Sequence, residues 1–218
     1  VGGLRFLLAV AALASAPAQA QSSHHEHQHR FADAEKWARE FDDPKRDEWQ
    51  KPHEVILALA LPERAVVADI GAGTGYFSAR LAHMLPGGTI YALDTEPDMV
   101  RHLATRAARE NLENLRAGAA QAGDPGLPEK ADLALLVDVY HHVENRIPYF
   151  RRLRAWLKAG GRVAIVDFRM DAPIGPPPAG RVAPERVVQE MHEAGYVLAQ
   201  RHDFLPYQYF LVFAPQAR

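Results

Sequence analysis

Val67-Ala68-Asp69-Ile70-Gly71-Ala72-Gly73-Thr74-Gly75-Tyr76-Phe77 is the stretch on which the reading of this chain turns. Ala65 to Ile70 is a short apolar run with Pro62 before it and glycines after it, which predicts a buried strand. Glycines at alternate positions let the chain turn sharply and bring its main chain close to a ligand, because no Cβ stands in the way. A dinucleotide fingerprint needs its third glycine where Tyr76 stands, and a phosphate loop needs a Lys-Ser or Lys-Thr pair that does not follow. The pattern is Asp-x-Gly-x-Gly-x-Gly at a strand end. The crevice at the carboxyl ends of the strands is the expected ligand site.

Working outward, Thr89 to Leu93 predicts the second strand, and Asp94 follows it 19 residues past Gly75. An acid at that place in a doubly wound fold accepts hydrogen bonds from both hydroxyls of a ribose. The remaining pattern alternates. Helices are expected at Phe77 to Leu85, Pro97 to Leu112, Ile147 to Leu157 and Pro184 to Ala194, and strands at Leu115 to Ala119, Ala131 to Val137 and Gly161 to Val166. Two last strands, Tyr196 to His202 and Gln208 to Phe213, have no helix between them and must pair antiparallel at one edge. The expectation is an α/β fold: a doubly wound, mostly parallel seven-stranded sheet with a C-terminal antiparallel hairpin.

On the residues Asp69 to Gly75 together with Asp94, the chain resembles the class I S-adenosylmethionine-dependent methyltransferases, in particular the small-molecule group, over roughly Pro52 to Phe213. Leu157-Lys158-Ala159-Gly160-Gly161-Arg162-Val163 looks like that family's turn before strand five. The resemblance implies S-adenosyl-L-methionine as cofactor. It implies that Gly71 and Gly73, with Ala72 and Gly75 in the same loop, line the methionine part, that Asp69 anchors its amino-acid end through the loop or water, and that Asp94 binds the ribose. Family members often carry a Gly-Asp-Ala segment after strand three, whose acid binds adenine, and then Leu-Pro. Here Leu127-Pro128 follows Ala119-Ala120-Gln121-Ala122-Gly123-Asp124-Pro125-Gly126. Asp124 is the candidate for the adenine contact, with Gln121 as the alternative.

Strand four runs out into Val137-Asp138-Val139-Tyr140-His141-His142-Val143, which by the resemblance faces the transferred methyl group. Transfer from a sulfonium needs alignment more than acid chemistry. A base helps where the nucleophile carries a proton, and Asp138, His141 and His142 are the candidates. Packing or capping at the start of a helix is the other reading of the two histidines. Arg46, Trp49 and Gln50 stand directly before the fold and are candidates for shaping the substrate pocket, although Trp37 and Trp49 read first as core aromatics. The Pro-rich segment from Pro173 to Pro178 reads as a lid or a spacer, and its stiffness favours the spacer.

The 218 residues, 48% of them hydrophobic, suffice for one sizeable core. A net charge of -2 gives no basic field, so nucleic acid is not an implied partner. Cysteine is absent, which removes disulfides, thiolate nucleophiles and cysteine zinc sites. Arg5, the apolar run Phe6 to Ala14 and Ala18-Gln19-Ala20 read as a cleavable export signal over residues 1–20, which predicts a periplasmic or secreted protein with no stable membrane anchor. His24, His25, His27 and His29 lie in a tail expected to be disordered over residues 21–30 and suited to weak copper, nickel or zinc binding. The single domain is then residues 31–218, with a helical preface over 31–60. Two function classes follow: a methyltransferase acting on a small-molecule acceptor, and an exported binding protein that keeps the fold without transfer activity.

Overall fold

The computed structural model describes residues 33–121 and 123–217. Seven strands form one sheet in the order β3-β2-β1-β4-β5-β7-β6. They are β1 (Val66–Ile70), β2 (Thr89–Asp94), β3 (Leu115–Ala119), β4 (Ala131–Val137), β5 (Leu157–Phe168), β6 (Tyr196–His202) and β7 (Gln208–Pro215). The first five are mutually parallel, whereas β7 runs antiparallel between β5 and β6. The predicted fold class is observed, including the antiparallel closing pair. Because β2 and β3 build outward from β1 in one direction and β4 and β5 in the other, the order reverses between β1 and β4. That switch point leaves a crevice at the strand carboxyl ends.

Burial on both faces explains the nearly unbroken apolar runs of the central strands. Val67, Leu133, Leu135, Ala164 and Val212 pack on one face under α3 (Pro52–Ala58), α4 (Tyr76–Met84) and Leu103 of α5 (Pro97–Arg109). Ala68, Ala134, Leu136, Ile165 and Leu211 pack on the other under α6 (Arg146–Leu153) and α7 (Pro184–Glu193). The expected elements appear with short shifts at their ends. The helix α5 ends at Arg109, three residues short of Leu112, and Asn111 just past it turns the chain at φ 54°. Leu157, expected at the end of a helix, pairs with Ala131 and begins β5. The ladder shifts register before Arg162 meets Leu133, so the Gly160-Gly161 turn is an irregularity within β5.

Two short helices precede α3: α1 (Ala34–Phe41) and α2 (Arg46–Gln50). The start of the preface at Phe31, the export segment and the histidine tail lie outside the described residues. Trp37 and Trp49 are half-buried rather than core: Trp37 stacks on Phe41, and Trp49 packs against Phe168 and Tyr207. Among the described residues no helix is long and apolar enough to cross a membrane.

Candidate functional site

The glycine loop leaves β1 and crosses the end of β2. The N–H groups of Gly71 and Ala72 both donate to Leu93 O, at 2.8 and 3.0 Å. Gly71 has φ 70°, and a Cβ there would lie 2.6 Å from Val139, so only glycine fits between β1 and the exit from β4. Gly73 N donates to Asp94 Oδ2 at 2.8 Å, and Asp94 Oδ1 accepts from Glu96 N at 2.9 Å. Burial raises the Asp94 pKa, and these backbone donors oppose the shift. Loop and acid, chosen in the sequence on spacing alone, therefore meet at the switch point.

Asp69 does not reach the crevice directly. It is buried, accepts from Ser78 Oγ at 2.5 Å, and burial pushes its pKa up to about 6. Its place is under the loop, bracing α4. Asp124 is exposed and ties its own turn, accepting from Gly126 N at 2.9 Å. Gln121 follows β3 almost at once, past Ala120 whose N–H donates to Asp94 O at 2.9 Å. The alternative named for the adenine contact thus stands closer to the end of β2 in the hydrogen-bonding pattern.

The N-terminal helices cover the loop. The Phe41 ring lies 3.6 Å from where a Cβ on Gly73 would be. Arg106 donates to Asp42 Oδ1 and Thr74 O, both at 3.0 Å, which joins α5, the loop and the end of α1. From α2, Asp47 accepts from Arg80 at 2.8 Å and from the Tyr76 hydroxyl.

Beside this lies the exit from β4. Asp138 has φ 58°, a left-handed conformation that a residue with a Cβ adopts only when its surroundings fix it. Three side chains do so: Arg46 at 3.1 Å, Gln50 at 3.1 Å and Gln208. Burial pushes the Asp138 pKa up to about 6 against the lowering charge of Arg46. One turn later His141 Nδ1 lies 2.9 Å from both oxygens of Asp167 at the end of β5. An ionised carboxylate only accepts, so Nδ1 carries the proton and Nε2 keeps its lone pair. Burial disfavours the imidazolium, but the hydrogen bond and charge of Asp167 outweigh it and raise the pKa above the ordinary 6.5. His142 is exposed, its ring 4.1 Å from that of His141.

Asp138 and His141 are thus brought together with the glycine loop, and Arg46 and Gln50 join them from the preface. Sequence reasoning missed Asp167 and Gln208. A carboxylate inside the apolar run Ala164-Ile165-Val166-Asp167-Phe168 was the available signal for the first; a polar residue opening an apolar strand was a weaker one for the second. The Pro-rich segment is gathered around one arginine. Its carbonyls at Ala172, Ile174 and Pro176, with those of Arg169 and Met170, all accept from the Arg181 guanidinium. Among the described residues no group of three or more His, Asp or Glu could hold a metal. The four tail histidines lie outside them.

Residues 68–163 match the family model of a methyltransferase domain. The trans-aconitate 2-methyltransferase of Afipia carboxidovorans is 29% identical over 130 residues, which span 59% of this chain and 49% of that protein. The protein-L-isoaspartate O-methyltransferase of Aeropyrum pernix is 33% identical over 138 residues, 56% of this chain and 48% of that protein. The chain spans about half the length of these curated relatives. A SAM-dependent methyltransferase structure from Aquifex aeolicus superposes with a TM-score of 0.78 at 23% identity, covering 83% of this chain and 97% of that one. The fold is the Rossmann-like fold of class I methyltransferases.

Proposed function

We propose that this protein is an S-adenosylmethionine-dependent methyltransferase with a small-molecule acceptor. The observation that carries the reading is the 2.8 Å bond between Gly73 N and Asp94 at the switch point, because it sets a glycine cradle and an acid side by side. The residues fit the cofactor. The close approach at Gly71 keeps the loop's main chain bare toward the crevice, and the Asp94 carboxylate has the acceptor capacity for two ribose hydroxyls. Asp124 and Gln121, joined by a short bridge just past β3, are the two candidates for the adenine-facing place in this reading.

S-adenosylmethionine supplies a methyl group on a positively charged sulfur, whose departure needs no proton. What this chain adds is placement and base. The helices α1 and α2 exclude water over Gly73. Asp138, locked by Arg46, Gln50 and Gln208, fixes the exit from β4. His141, oriented by Asp167, takes the acceptor's proton at Nε2. Asp94→Ala removes a charge-assisted contact of about 1.5 to 3 kcal/mol, so calorimetry should show affinity for S-adenosylmethionine falling roughly tenfold to a hundredfold. Unchanged affinity in a folded variant would refute the site.

The composition of residues 5–20 supports export with cleavage after Ala20, and the histidines that follow support weak metal binding independent of the transfer site. Mass spectrometry of protein from the native host should find a mature terminus at Gln21. An intact leader on cytosolic protein would contradict export.

A further inference from the structure

Relatives named for acceptors as different as trans-aconitate and protein L-isoaspartate leave the acceptor to be argued from this chain's own residues. A cleft of about 420 Å³ opens where His141 meets the Pro-rich segment and the start of α7. His141, Arg146, Met170, Arg181, Val182 and Arg186 line it. Its size suits a small molecule. It lies beyond the carboxyl ends of β4 and β5, between His141, Met170 and the start of α7.

The charge in that cleft is unbalanced. Arg146 and Arg186 share a single carboxylate, Glu190, at 2.6 and 2.7 Å. Glu190 also accepts from the Tyr140 hydroxyl at 2.8 Å and is held down at a pKa of about 2; burial opposes the shift, and its hydrogen bonds from Arg146 and Arg186 outweigh burial. It therefore stays ionised and cannot neutralise both cations. Arg181 donates to five carbonyls and forms no ion pair among the described residues, so its charge there is met by dipoles. Of the other acids nearby, Asp167 is bonded to His141, Asp171 pairs with Arg169, and Glu185 stands in the first turn of α7. One donor in the core on this side of the sheet is left over among the described residues. The Tyr209 hydroxyl is buried without a hydrogen-bond partner. Tyr209 stands opposite Asp167 in the β5–β7 ladder, among the buried residues that include Tyr140 and Val182.

We propose that this cleft is the acceptor subsite and that it takes a small organic acid, its carboxylate seated against Arg181 and Arg186 while the reacting group meets His141. Arg186 meets Glu190 only through Nε, which leaves both terminal nitrogens to pair with a carboxylate, while Arg181, its N–H groups taken by carbonyls, adds charge; this suits an acid above neutral acceptors. This deepens the methyltransferase reading and rests on it.

The test titrates citrate and succinate, and their amides, into the full chain saturated with S-adenosylhomocysteine. The acids should bind and the amides should not. Arg186→Gln, at a site 65% exposed, should fold normally and weaken acid binding by on the order of tenfold or more while leaving affinity for S-adenosylhomocysteine unchanged. Equal binding of acid and amide, no acid binding at millimolar concentration, or an unaffected Arg186→Gln protein overturns the proposal. Failure of S-adenosylhomocysteine to bind overturns the methyltransferase reading instead, and the same acids titrated into the free protein then judge the cleft by itself.

Discussion

His141 is the residue whose protonation sets the pace in this account. Its Nδ1 is committed to Asp167, so only Nε2 can accept a proton, and it does so only while the ring is neutral. Asp167 stabilises the imidazolium and holds the pKa above 6.5, hence the ascending limb of kcat/KM against pH should lie above that value. Asp167→Asn withdraws the stabilising charge, lowers the histidine pKa and should move the limb to lower pH. A limb that stays in place assigns the proton to another group. Asp138, held by Arg46, Gln50 and Gln208, contributes geometry at the exit from β4.

At the scale of elements, the loop from β5 to α7 has the least regular structure and the most concentrated support. Arg181 gathers carbonyls from Arg169 to Pro176 around one guanidinium. Arg181→Ala should cost roughly 2 kcal/mol, less than the sum of its bonds because the freed carbonyls rehydrate. Limited proteolysis should then cut within 172–180, with cofactor affinity retained; resistance to cleavage would show that proline stiffness alone holds the segment. Elements with a clear period were legible in the sequence. Strands β1 and β4 are apolar runs of strand length, and α5 and α7 carry apolar stripes between proline and a left-handed stop. The helix α2 was not legible, since Arg46-Asp47-Glu48-Trp49-Gln50 is too short and too polar to show a stripe, and its bonds to Asp138, Tyr76 and Arg80 hold it. The partners of the site escaped for a related reason. Asp167 is 26 residues from His141 and Gln208 is 70 from Asp138, distances that only the sheet order closes. Gly71, Gly73 and Asp94 were found because both halves of that contact sit at strand ends whose spacing the doubly wound fold fixes.

Over the whole molecule, three bodies meet at the carboxyl edge of the sheet. The preface helices reach it through Arg46 and Asp42, the glycine loop and Asp94 form its floor, and α7 with the Arg181 loop closes the other side. In the proposed reading the cofactor lies beside Gly73 and Phe41 and the acceptor beside His141. Backbone amide NMR during a titration with S-adenosylmethionine tests this most directly. The account predicts that the largest shift changes fall on residues 71–75, 94–96 and 120–121 and on the preface at 41–50, with α7 and residues 172–181 little changed. Shifts confined to the α7 side, or none at all at saturating cofactor, would contradict it.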